Sequence, residues 1–244
     1  MATLANPQDN PMTFWQKMSL GMSAFIVFGF AQFALRGFVN YEKAPLVMHL
    51  HGLSMLAWLA LLCTQSMLAG GRGRGALALH RNLGLASVVL LPLIVALTSL
   101  TCLTALPMEL FPPFFTPAYF LALAHVGIIL FAVVVILAIA LRRAPGWHRR
   151  LMAGSTILLL DPALGRVLPM PLIVPWGGWL AMAIELGLAA LIIRYDRRVL
   201  GHIHPATGVI VVAVALNHLV VELLAIFPPW IAFTQSLTTS QSVF

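Results

Sequence analysis

The chain has 244 residues, 61% of them hydrophobic and 9% charged, with a formal net charge of +7 and a mean hydropathy of +0.97. Soluble domains are about a quarter charged, so these figures exclude a water-soluble globule, a disordered chain and a coiled coil. They also exclude a nucleic-acid-binding surface, because the positive excess has little solvated face to occupy.

Apolar stretches of the ~20 residues that a helix needs to cross a bilayer recur along the whole length. The pattern predicts an all-α, polytopic integral membrane protein with seven transmembrane helices in a single membrane domain, residues 1–244. The polar start, Met1–Met12, lacks the basic region and cleavage site of a signal peptide, so the first span is expected to be retained. Spans fall near 18–38, 45–69, 80–105, 117–141, 149–168, 174–195 and 206–228. Asp161, Pro162 and Arg166 interrupt the fifth, and Pro169, Pro171 and Pro175 mark a stiff turn into the sixth. Cys63 and Cys102 lie inside apolar stretches without metal-ligand spacing and read as small buried residues.

The links between spans carry the charge. Arg72, Arg74 and Arg81 follow span two, Arg142, Arg143, Arg149 and Arg150 follow span four, and Arg194, Arg197 and Arg198 follow span six. With Lys17 they put eleven positive residues on one side. The positive-inside rule then predicts a cytoplasmic N-terminus and an outer C-terminus in a bacterial inner membrane, with anionic lipid headgroups as partners. The Gly-Arg-Gly-Arg-Gly run at 71–75 has no βαβ context and reads as a turn, not a dinucleotide fingerprint.

A short repeat joins two of these links: Leu79-His80-Arg81-Asn82-Leu83 and Trp147-His148-Arg149-Arg150-Leu151 each open a span. Spans two and four carry histidine in their outer halves, His51 six residues past Pro45 and His125 eight residues into its span. These offsets correspond to depths of ~9 and ~12 Å. Thus two levels each hold two histidines on alternate helices, within a histidine-bearing core at 45–168. Four such side chains could supply axial imidazoles to two haems stacked across a bilayer. His49 points ~200° away from His51 on the same helix, so one metal takes only one of them, and His51 is the deeper. Arg81, Arg149 and Arg150 could pair with propionates of an inner haem.

This alternation resembles the cytochrome b561 core. That resemblance implies heme b held by His51 with His125 and by His80 with His148, and electron transfer across the membrane. The His-Arg-Asn-Leu-Gly and Trp-His-Arg-Arg-Leu-Met segments are also similar to those of uncharacterised bacterial multi-pass membrane proteins, a resemblance that implies no activity.

Acidic residues inside spans are costly and read first as functional. Asp161, Glu185 and Glu222 fall in spans five, six and seven, where they could handle protons or a quinol. His218 and Glu222 are four apart, on one face of span seven beside Asn217. His51, His125, His218 and Glu222, with Asp161, could alternatively hold non-haem iron or zinc for an enzyme acting on a lipid or isoprenoid. A third reading is non-catalytic, in an assembly or transport protein. Its polar groups only clamp helices, Arg166 to Asp161 and His218 to Glu222 or Glu185.

Overall fold

The computed structural model describes residues 12–71 and 74–239. Arg72, the side chain of Arg74 and the segment before Met12 lie outside the described residues. Among the described residues the protein is helical and contains no strand.

Helix α1 (Phe14–Leu35) starts at a capping box: the Thr13 side chain accepts from the Gln16 N–H and Gln16 reaches back to Thr13. Helix α2 (Leu46–Gly70) follows, and its neighbours α3 (Arg74–Gly84) and α4 (Ala86–Ala105) together form the expected third span, broken at Leu85. Helix α5 (Pro117–Ala140) opens with Thr116 as its cap and proline in its first turn, where the missing N–H costs nothing. Helix α9 (Gly177–Leu200) ends on Gly201 at φ +77°, the left-handed geometry that glycine enters without penalty. His204 then caps α10 (Pro205–Ile226). A final helix, α11 (Pro228–Thr239), was not foreseen; the Trp230 indole N–H donates to the Ala118 carbonyl and ties it to the start of α5.

Among the described residues six elements are long and apolar enough to cross a membrane: α1, α2, the joined run Gly75–Ala105, α5, α9 and α10. Their flanks carry exposed Leu, Val, Ile and Phe in numbers that suit lipid and not water. This is a multi-pass membrane protein.

The expected fifth span is not a continuous helix. It divides into α6 (Pro145–Ile157) and α7 (Asp161–Val167), with α8 (Met170–Ile173) beyond. Pro162 has no N–H to donate and its ring crowds the carbonyl of Leu158 four residues back. The chain between tightens, with Leu159 N–H donating to Thr156 O and Leu160 N–H to Ile157 O. This broken element is the most enclosed part of the protein: Arg150, Leu151 and every residue from Ala153 to Asp161 are buried. Glycine permits the close packing. A Cβ on Gly154 would strike Ile210 of α10, and one on Gly29 of α1 would lie 3.1 Å from Ala163. Trp58 of α2 and Phe131 of α5 meet edge to face at 5.2 Å and fill the space between those helices.

Candidate metal centre

Asp161 is the first residue of α7, placed in the interior by the Pro162 break. Glu185 lies eight residues into α9 and His218 eight residues before the end of α10, so both sit at ~12 Å from the same end of the bundle. One ligand atom from each of Asp161, Glu185 and His218 can be chosen so that all lie within 4.8 Å of one another, and all three residues are buried. The His218 Nε2–H donates to Glu185 Oε2 at 3.1 Å. The other carboxylate oxygens, Asp161 Oδ2 and Glu185 Oε1, are buried without a hydrogen-bond partner, as is Asn217 Oδ1 beside His218.

Two carboxylates with unpaired oxygens in an apolar interior are electrostatically incomplete, because a buried acceptor without a donor loses its hydration for nothing in return. Arg166, expected as the partner of Asp161, donates instead to the Pro162 carbonyl at 2.8 Å and lies 4.1 Å over the Phe30 ring. A divalent cation would satisfy the set: two carboxylates balance its charge, and imidazole with carboxylate suits iron, zinc or manganese. Three protein ligands leave positions open for water or substrate.

Glu222 stands one turn beyond His218 and is half-buried, outside the three-residue group. A Cβ built on Gly178 of α9 would lie 2.6 Å from the Tyr119 hydroxyl and 3.3 Å from Glu222 Oε1. Those two oxygens therefore converge on the bare glycine backbone.

The histidines expected as haem ligands divide into two cases. His51 and His125 both turn toward α4. His51 Nδ1 is 3.4 Å from Thr98 Oγ1, while His125 donates from Nδ1 to the Leu121 carbonyl and accepts at Nε2 from Ser99, both at 2.9 Å. They meet adjacent hydroxyls and not each other, and Trp58 and Phe131 occupy the interhelical space deeper on the same two helices. These residues do not fit a haem between them. Neither joins the Asp161 group.

His80 and His148 do come together, with ring centroids 6.3 Å apart and planes nearly perpendicular. Each turns Nδ1 to a backbone carbonyl, His80 to Gln65 at 3.3 Å and His148 to Ala138 at 2.8 Å. Those bonds leave both Nε2 atoms as lone pairs, the form a metal takes. Arg81 is exposed, and so is Arg149, which lies 5.4 Å from the Trp15 ring. His49 is exposed near Tyr41.

Arg150 was expected among the loop cations and is instead fully buried. Its guanidinium is paired with Asp196 of α9 through Nε at 2.9 Å and through a second, shorter bond. Thr207 donates to the other Asp196 oxygen at 2.5 Å and the His204 N–H at 3.1 Å. Sequence reasoning missed Asp196 because it lies in the basic run Arg194-Tyr195-Asp196-Arg197-Arg198. A lone acid among three arginines was the available signal. Tyr119, Thr98 and Ser99 carried none.

No known protein family, curated protein or solved structure matches this chain.

Proposed function

We propose that the protein is an intramembrane metal enzyme in which Asp161, Glu185 and His218 hold one iron, zinc or manganese ion, acting on an apolar lipid-like or isoprenoid substrate. One observation carries this reading: three buried ligand groups gathered within 4.8 Å, two with oxygens that nothing else satisfies. The bound ion would supply Lewis acidity or redox chemistry. The chain's own contribution is to orient both carboxylates and the imidazole toward one point and to exclude water.

The setting is a bacterial inner membrane with the N-terminus in the cytoplasm. In this reading α6 and α7 make a seventh, broken crossing beside the six continuous ones. Arg150 of α6 lies against Trp15 at one end of α1, while the Arg166 carbonyl accepts from Gln32 near the other. Irregular backbone at membrane depth is tolerated where it is buried in protein, as it is here. The arginines of the α5–α6 link and of the end of α9 mark the cytoplasmic end.

Metal analysis of the purified protein tests the proposal. About one ion per chain is expected, lost in Glu185→Gln and in His218→Ala. A preparation that is metal-free and takes up no zinc, iron, manganese or cobalt when supplied would overturn it.

The facing pair His80 and His148 favours a second reading, transmembrane electron transfer with heme b or another metal at the arginine-rich end. Glu222 and Asp161 would then serve protons to a quinol. A reduced-minus-oxidised absorption spectrum decides it: a Soret shift abolished by His148→Ala supports this reading, and a colourless protein ends it.

A further inference from the structure

The repeated segments at His80 and His148 belong to two hairpins, α2 with α3–α4 and α5 with α6–α7, and each hairpin holds its histidine in the same way. His80 Nδ1 lies 3.3 Å from the Gln65 carbonyl of α2, and His148 Nδ1 lies 2.8 Å from the Ala138 carbonyl of α5. The two nitrogens of an imidazole point to opposite sides of the ring. Each Nε2 is therefore turned away from its own hairpin, and the ring beside it belongs to the other. We propose that these two Nε2 atoms take one copper(I) ion, at a site separate from the Asp161 centre. The inference deepens the second reading of the function, on whose histidine pair it rests, and names the ligand as a bare ion.

The spacing is that of a bridged pair. A metal–imidazole bond is ~2.0–2.1 Å and an imidazole nitrogen stands ~1.1 Å from its ring centre, so an ion in line between two Nε2 atoms puts the ring centres ~6.3 Å apart. The rings of His80 and His148 are 6.3 Å apart, with planes at 87°. That spacing suits a bare ion and a haem iron alike, and Gln65 separates them. Its side-chain amide donates to the His80 carbonyl at 3.0 Å, while its Oε1 is buried with no donor. A free carboxamide oxygen can serve a bare ion as a weak third ligand, whereas a haem iron with two imidazoles has its other positions filled by the porphyrin.

Charge then selects the ion. Both imidazoles and the amide are neutral, and the nearby cations Arg81 and Arg149 offer no compensation. The cost of a charge in a poorly solvated site rises with the square of that charge. A univalent ion therefore suits this site, as a divalent one suits the two carboxylates of the Asp161 centre. Copper binds imidazole readily, and in its univalent state it accepts two ligands in line.

The test is Cu⁺ binding by the full chain in detergent, without oxygen and with ascorbate, in competition with bicinchoninate, whose coloured copper complex reports the ion it keeps. About one Cu⁺ per chain is expected in the parent and in Glu185→Gln, which lacks the other centre. His148→Asn keeps a donor for the Ala138 carbonyl but has no ring nitrogen for the ion. It is expected to lose binding while eluting and melting as the parent does. Gln65→Glu adds the missing charge and is expected to shift preference toward Zn²⁺ over Cu⁺ by about tenfold; an unchanged preference would strike Gln65 from the site, and with it the choice of a bare ion over haem. X-ray absorption of the copper-loaded parent is expected to show two nitrogen neighbours at ~2.0 Å. Sulfur neighbours, no Cu⁺ uptake by the parent, or parent-like uptake in His148→Asn would overturn the site. A Soret band in a protein that takes no Cu⁺ overturns copper and leaves electron transfer standing. Cu⁺ uptake by a colourless protein keeps the site and ends electron transfer through haem.

Discussion

Arg150, Asp196 and Thr207 at one end, and Asp161, Glu185 and His218 toward the other, occupy the same three stretches of chain, α6–α7, α9 and α10. The two sets are eleven residues apart on each stretch. Eleven residues of helix are ~16 Å and within ~20° of three full turns, so along α9 and α10 both sets share one inward-facing stripe. Their chemistry is opposite. In the first, a guanidinium, a hydroxyl and a backbone N–H saturate one carboxylate, and the charges cancel. In the second, two carboxylates face one imidazole and two oxygens have no partner. A polar cluster completed at one end of a stripe and left incomplete at the other is the contrast that the proposed metal centre accounts for.

The largest expected effect lies in the completed cluster. Arg150→Ala strands the Asp196 carboxylate in an apolar interior, a change that costs ~3–5 kcal/mol when a buried pair loses one partner. Thermal unfolding in detergent is expected to show that loss, and Arg150→Met combined with Asp196→Leu to recover most of it. A parent-like melting temperature for Arg150→Ala would erase the distinction between the two clusters.

The incomplete cluster should respond in the reverse sense. Glu185→Gln removes one of two neighbouring like charges, so in metal-free protein it is expected to leave stability unchanged or higher. Adding Zn²⁺ at a hundred times its dissociation constant is expected to stabilise the parent by ~2.7 kcal/mol and Glu185→Gln hardly at all. If Glu185→Gln destabilises the metal-free protein as severely as Arg150→Ala does, the second cluster is a clamp like the first.

Thr207→Val sharpens the comparison by removing one bond while keeping the volume. A hydrogen bond to a charged acceptor contributes about 1.5–3 kcal/mol, and the lower part of that range is expected here because Asp196 keeps its arginine. Chemical denaturation followed by intrinsic tryptophan fluorescence would measure it.

The six long helices were legible because hydropathy over ~20 residues is a strong, local signal. Their bounds differ from expectation by a few residues, as at α1, where the Thr13 cap starts the helix at Phe14 and not near residue 18. Asp161, Glu185 and His218 were legible for the complementary reason, since a polar residue in an apolar run stands out one at a time. Their grouping was not, because it depends on where the Pro162 break puts Asp161 relative to two helices far away in sequence. The paired segments at His80 and His148 show the same limit. Both histidines come to one place, yet Asn82 is exposed while its counterpart Arg150 is fully buried. Whether a basic residue near a span end faces water or an acid is decided by Asp196, 46 residues on.

The smallest effect separates the two ends by pH. His204 caps α10 by accepting from the Ala206 N–H at its Nδ1, at 3.1 Å, and its ring packs on Trp147. Burial, then the Arg150 guanidinium, hold its pKa below the ordinary imidazole value against the opposing pull of Asp196, with His202 and Arg149 also facing it. The folded protein therefore takes up this proton at a lower pH than the unfolded chain, which does so near pH 6.5. Stability from this group is fully present above that value and falls as pH drops below it, since a protonated Nδ1 can no longer accept. His204→Asn keeps a side-chain acceptor at the cap and removes the titration. Its melting temperature is expected to track the parent's from pH 8 down to ~6.5 and to decline less steeply below. Identical slopes for both proteins in acid would show that the paired end of the bundle does not sense this proton, and would assign acid sensitivity elsewhere.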